Sequence, residues 1–421
     1  MRKQTWLLLT TFLTCFGATA QTADPAAAIS RIHQLFLQDY NYLKPIDSLK
    51  GSATAYRHNE DLLGMYFQAL ATYESFTGNY AAAISAYNNM FPQNDYDAGN
   101  TEKAKPAFNG YTPVNAAEKI GALAAQHRVI MINESHHTPY HRLFTKSLLP
   151  ALYKKGFRYL ALETLEYKDA ALNKRGYPIQ GDGFYSTEPL FGDLIRTAIS
   201  IGFKVISYED TTACREGDCY QQRETMEARN LCKILREDTA ARILVHAGYD
   251  HIFEKEKYNL RRMAMCFREC SGINPLTINQ ESMCEKGNPA NENSYYTAAA
   301  TLYHISAPTV FEKKDSIWVE PRLAGYVDME VFHPRFTDKY NRPGYFLLDP
   351  TRIPSPVSLK KEYTNMLVQA YMDNESGNSI PVDQQVYSGT SPLYLMLPKG
   401  KFRIVVKDHL NKIISTAAYS N

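Results

Sequence analysis

Several features that would classify this chain quickly are missing from it. Of 421 residues, 46 are Lys or Arg and 44 are Asp or Glu, and no basic run disturbs that balance. Without an electrostatic footprint for phosphates, nucleic acid is excluded as a partner. There is no G-x-S-x-G elbow and no H-E-x-x-H, so serine-hydrolase and zincin chemistry lack their usual frames. No C-x-x-C pair favours a zinc–thiolate centre. Beyond the first twenty residues no stretch reaches the roughly 18 apolar residues of a membrane helix, so no transmembrane helix is expected.

What is present begins with MRKQTWLLLTTFLTCFGATAQ. Arg2 and Lys3, an apolar run from Trp6 to Phe16 and Ala18-Thr19-Ala20 read as a secretory signal over residues 1–20, cut before Gln21. An exported protein, periplasmic or extracellular, is the expectation. Cys214, Cys219, Cys232, Cys266, Cys270 and Cys284 follow the signal, and an even count in an exported chain favours disulfides. Cys214 and Cys219 flank the polar loop REGD and form the first candidate pair. Cys266 and Cys270 sit at i, i+4 on a helical pattern, so one of them is expected to reach Cys284.

The texture changes along the chain. Residues 21–92 read as helices. In the second half of that region Gly78, Tyr80, Ala83, Tyr87 and Pro92 fall near the packing positions of a tetratricopeptide unit. One such unit cannot close a solenoid, so it is expected to brace the next domain or to meet an envelope partner. Residues 93–112 are polar and turn-rich and read as a linker. From 113 to 350 apolar strands alternate with amphipathic helices: RVIMINE, FRYLALE, FKVISYED, RILVHAG and INPLTINQ are the strands. That alternation predicts an α/β domain with a mostly parallel sheet flanked by helices, followed by a β-rich extension. Residues 351–421 read as a C-terminal β-rich region with a turn at DHLNK.

The strand ends carry unusual residues. The first ends at Glu134, followed by His136 and His137; the second ends at Glu163; the third ends at Glu209 and Asp210. The fourth carries His246, with His251 just beyond. In an open parallel sheet these ends share one edge, where ligands bind. Buried carboxylates and imidazoles cost several kcal/mol unless paired or used, on the order of 2–7 kcal/mol for a polar group left without partners. The edge is therefore the candidate site.

The stretch VIMINESHHTPYHRLFTKSLLPALYKKGFRYLALE resembles the superfamily that joins erythromycin esterases, ChaN-like haem-binding proteins and the TraB/Tiki proteins. Glu134, His136, Gly156, Phe157, Ala161 and Glu163 match its G-E-x-H and G-F-x-x-(L/A)-A-x-E pattern. Arg223, Glu224, Ala228 and Asn230 in RETMEARN are similar to its R-(D/E)-x-x-M-A-x-N helix, and Gly248 and His251 in HAGYDHIF to its closing segment. The resemblance covers roughly 115 to 285. Asn133 departs from it, standing where the family has glycine, and Met226 sits one position early.

What the resemblance implies is ester or peptide hydrolysis, with a divalent metal in the Tiki branch and haem in the ChaN branch. As a hydrolase, Glu134 or Glu163 would take a proton from water with His136 or His137 assisting. Arg223, Asp210 and Asn230 would face the substrate, a small molecule or a peptide, and His246 and His251 would stabilise charge or protonate the leaving group. In the rival readings Glu134, His136 and His251 hold a metal, Tyr140 or Tyr249 ligates haem, or the chain is a scaffold without turnover.

Overall fold

The structure, a computed structural model, describes residues 25–57, 59–90, 100–166, 169–212, 214 and 217–421. The expected signal over 1–20 lies outside these residues, as does Pro92. Four helices come first: α1 (Pro25–Asp39), α2 (Lys44–Gly51), α3 (Glu60–Phe76) and α4 (Tyr80–Asn88). Asn59 and Asn79 start the last two by accepting from backbone N–H groups that no earlier helical turn can satisfy. Phe36, Tyr73 and Phe76 belong to the same buried cluster as Ile130 and Leu160 of the main sheet. The helices are therefore built onto the α/β domain.

The stretch read as a linker is different in its described part. It contains α5 (Thr101–Ala104) and a 3-10 turn at Lys105–Phe108. Ala104 and Phe108 are buried against Phe311, Trp318 and Phe332. Two apolar anchors four residues apart fix a segment whose polar composition suggested a free connection.

Next come β1 (Thr112–Asn115), α6 (Ala116–Leu123), β2 (Val129–Glu134), α7 (Tyr140–Lys154), β3 (Tyr159–Leu162), α8 (Leu172–Arg175), α9 (Pro189–Ile201) and β4 (Lys204–Ser207). They continue with α10 (Cys219–Glu237), β5 (Ile243–Gly248), α11 (Met263–Ser271), β6 (Leu276–Asn279), α12 (Ser294–Leu302), β7 (Thr309–Lys313), β8 (Ser316–Ile317) and β9 (Met329–Glu330). Six strands form one sheet in the order β4-β3-β5-β2-β6-β9, with every pairing parallel. Every residue of β2 and β5 is buried, as strands covered on both faces must be. The fold is thus mixed α/β, with a parallel sheet flanked by helices. β1, β7 and β8 form a separate antiparallel ribbon.

The C-terminal region is antiparallel. β10 (Arg352–Val357) pairs with β13 (Leu393–Pro398). β11 (Leu367–Met372), β12 (Asp383–Val386), β14 (Lys401–Lys407) and β15 (Ile413–Ser420) form a sheet in the order β12-β11-β14-β15. The DHLNK turn joins the last two strands.

Cys214 and Cys219 are disulfide-bonded as expected. The expected bond to Cys284 is corrected: Cys270 pairs with Cys232, while Cys266 and Cys284 are free and buried. Cys270 lies on the face of α11 that meets α10, and Cys284 packs with Tyr80 and Tyr140 instead. Among the described residues no helix is long and apolar enough to cross a membrane.

Candidate active site

The sheet order puts β5 between β2 and β3. Glu134 is in register with Gly248 on one side, and Leu162 with His246 on the other, so Glu163 follows directly. Two carboxylates from different strands therefore flank the end of β5.

Glu134 is fully occupied. Arg142 of α7 donates from Nε to Oε2 at 2.7 Å and from Nη2 to Oε1 at 2.8 Å. His246 Nε2 lies 2.8 Å from Oε2 and His136 Nδ1 3.1 Å from Oε1. Burial alone would raise this carboxyl, but Arg142 and His246 hold it well below the usual carboxylate range. Glu134 is an ionised acceptor with no lone pair left over for a substrate.

Each imidazole directs one ring nitrogen at Glu134, where an ionised carboxylate calls for an N–H. His246 Nδ1 lies 3.1 Å from Thr145 Oγ1. His136 Nε2 is buried without a hydrogen-bond partner. A Cβ on Gly248 would stand 2.6 Å from His136 Nε2 and 2.8 Å from Glu163 Oε2, so glycine is required by space there while its φ of −79° is ordinary. His136 is sandwiched further: Tyr185 stacks on it at 3.9 Å and 21°, and Tyr249 meets it edge-on at 4.8 Å.

Glu163 forms the facing wall. Its Oε2 accepts from Gly248 N–H, and its Oε1 accepts from Arg223 Nη2 at 3.1 Å. Burial would raise this carboxyl, while the positive charge around it, with Arg223 donating directly, holds it below its ordinary value. Arg223 is shared with Glu209 at 3.2 Å and Glu227 at 2.8 Å, and its Nη1 donates to His251 Nε2 at 2.9 Å. His251 must therefore carry its proton on Nδ1, which donates to Glu224 Oε2 at 2.9 Å. Arg262 Nη1 closes the chain on Glu224 Oε1 at 2.8 Å.

Glu134, His136 and His246 thus form one hydrogen-bonded cluster and Glu163, Arg223 and His251 a second that adjoins it across Gly248, and the remaining candidates lie elsewhere. His137 turns away and stacks on Tyr87 of α4 at 3.7 Å, facing a small pocket lined by Ile84, Glu285 and Asn291. Asn230 donates to the carbonyls of Tyr208 and Glu209, which makes it a brace for the β4 end. Asp210 accepts from Thr212 and Gln222 at the rim. Sequence reasoning missed Arg142, Tyr185, Glu227 and Arg262. Arg142 stands inside the quoted NESHHTPYHR stretch, one helical turn past His137, and was legible there as a partner for Glu134.

A metal on Glu134, His136 and His251 does not fit these donors. Glu134 has no free lone pair, both nitrogens of His251 are committed, and only His136 Nε2 is open. Glu224, Glu227 and His251 offer ligand atoms within 4.8 Å of one another. An ion there would have to displace the Nδ1 proton, and the proton moved to Nε2 would then face the guanidinium of Arg223. Haem fits no better on Tyr140 or Tyr249. Both rings are buried, and burial pushes both hydroxyls up, away from the phenolate an iron would need.

No family model and no curated protein matches the chain. Distant likeness to solved structures does exist. The type III effector HopBA1 is 14% identical, with 41% of this chain and 86% of that one covered and a TM-score of 0.28. RRSP, a MARTX toxin effector domain from Vibrio vulnificus CMCP6, is 15% identical over 54% and 50%, with a TM-score of 0.29. The C-terminal region of Pasteurella multocida toxin, described as holding a thiol-protease-like catalytic triad, is 12% identical over 44% and 26%, with a TM-score of 0.24.

Proposed function

We propose that the chain is an exported hydrolase of ester- or peptide-type bonds in which His136 is the proton-transfer residue. The observation that carries this reading is the buried Nε2 of His136, which has no hydrogen-bond partner while Glu134 meets the opposite nitrogen; in our reading the proton sits on Nδ1 and Nε2 is bare. A positioned imidazole of this kind contributes roughly 10²- to 10⁴-fold to a proton-transfer step. The expectation that Glu134 itself takes the proton is replaced: Glu134 orients His136 and balances the imidazolium that forms.

The sequence of events follows from the donors. Nε2 takes a proton from water as the water oxygen bonds to the substrate carbonyl carbon. The carbonyl electron pair moves to oxygen, whose charge Arg223 would balance. The bond to the leaving group then breaks, and Nε2 returns its proton to the departing oxygen or nitrogen. Glu163, ionised beside His136, stabilises the imidazolium between the two steps. The resemblance to erythromycin esterases and Tiki proteins supports the same class of reaction. Two disulfides and an expected secretory signal support export.

A panel of ester and peptide substrates assayed with the full chain and with His136→Gln tests this. We expect turnover of at least one substrate and a loss of roughly 10²-fold or more in the variant. Equal turnover by both proteins would remove His136 from the reaction.

A further inference from the structure

His136 is enclosed, and one face of its ring is covered by a strap at residues 176–188. One end of the strap is tied to the C-terminal β-region: Gln180 N–H donates to Asn378 O at 2.8 Å, and Ile380 N–H to Pro178 O at 3.1 Å. The other end is Glu188, which caps α9 by accepting from Phe191 N–H and also receives Arg142 Nη1 at 2.8 Å. Between the ends two neighbouring aromatic side chains diverge. Tyr185 lies flat on His136. Phe184 enters a ring of aromatic side chains from the N-terminal helices: His33 at 4.0 Å, Phe76 at 5.3 Å, and Phe36 and Tyr73 at 6.0 Å. Just before them Gly183 has a φ of +147°, and a side chain there would run into the carbonyl of Thr164. The strap crosses the β3 end at a point that only glycine permits.

We propose that this strap is a gate over His136, and that the aromatic box of α1 and α3 is its latch. With Phe184 seated, Tyr185 covers the imidazole. When Phe184 leaves the box, Tyr185 is free to lift and Nε2 becomes reachable. The N-terminal helices thereby control access to the candidate site, which gives a physical role to a region that contributes no reactive group. Exposing one buried phenylalanine shifts such an equilibrium roughly 10- to 100-fold toward the closed state. The inference rests on the reading of His136 as the reactive group only for its biological purpose; the gate itself is testable without a substrate.

The test uses diethyl pyrocarbonate, which acylates unprotonated imidazole nitrogen, on the full chain, with peptide mass spectrometry to follow each histidine. His409 is an exposed reference, and His141 and His333 are buried references. In the wild type, His136 should react far more slowly than His409. In Phe184→Ala it should react roughly 10- to 100-fold faster, with His141 and His333 unchanged. Phe76→Ala, which loosens the box while leaving every strap residue in place, should act in the same direction and serves if Phe184→Ala does not fold. Unchanged labelling of His136 in a folded variant would overturn the gate, and so would acceleration of all three buried histidines together. If labelling accelerates but no substrate is ever turned over, the gate stands and the hydrolase reading fails. Turnover by the wild type with His136 labelling unchanged in the variants leaves the hydrolase and removes the gate.

Discussion

Arg142 grips both oxygens of Glu134, Nε on Oε2 at 2.7 Å and Nη2 on Oε1 at 2.8 Å. Through that grip α7 supplies the counter-charge that keeps Glu134 ionised. In the proposed mechanism Glu134 then places the His136 proton on Nδ1, so Arg142 acts on Nε2 from a distance.

Removing Arg142 would leave a buried carboxylate without its counter-charge. Arg142→Ala is expected to lower stability by about 3–5 kcal/mol, the usual cost of breaking a buried ion pair from one side, as read from urea denaturation. Glu134→Gln places an amide N–H among the donors of Arg142, His136 and His246. It is expected to keep the fold less perturbed than Arg142→Ala and to reduce turnover roughly 10²-fold or more by releasing His136.

Gly248→Ala probes the closest approach in the site. The added methyl would overlap His136 and Glu163, neither of which can yield without losing its partners. Overpacking of this kind costs about 1–3 kcal/mol. We expect a folded protein of reduced melting temperature whose turnover is lost.

His333 provides a pH signature away from the site. Burial pushes its imidazole down to about 3, while its Nε2 faces Gln280 Oε1 at 3.1 Å and its ring neighbours His141. The unfolded value is near 6.5, so the folded state binds fewer protons and this group costs stability as pH falls from about 6.5 toward 3. His333→Asn lacks that penalty. The stability advantage of wild type over the variant should therefore shrink on acidification, by up to about 1.4 kcal/mol per pH unit. Urea midpoints for both proteins at pH 7, 6, 5 and 4 check this; a constant difference would contradict it.

The Cys232–Cys270 bond spans 38 residues and ties α10, which carries Arg223, Glu224 and Glu227, to α11. Its loss should cost about 2–4 kcal/mol. Cys232→Ala is expected to lower the melting temperature accordingly. Peptide mapping under non-reducing conditions should recover 214–219 and 232–270 as linked pairs, with Cys266 and Cys284 as thiols.

The sheet was readable because burial on both faces writes continuous apolar runs such as VIMIN and RILVHA. Parallel pairing then carries Glu134, Glu163 and His246 to one edge. Partner choice was not readable. Sequence spacing made His136 and His137 equivalent, whereas a strand end sends adjacent side chains to opposite sides, one toward Glu163 and one toward Tyr87. Nor did the sequence show that three donors would saturate Glu134, because His246 meets it from 112 residues away. The cysteine pairing failed for a related reason: a spacing of four on α11 says which residues share a face, but not which helix covers that face.

The account depends most directly on the tautomer of His136. Long-range nitrogen-15 correlation spectra of histidine-labelled protein at neutral pH report which ring nitrogen carries the proton. A proton on Nδ1 with Nε2 bare is the predicted result. A proton on Nε2, with Nδ1 bare against Glu134, would contradict the proposal that this imidazole receives a proton from water.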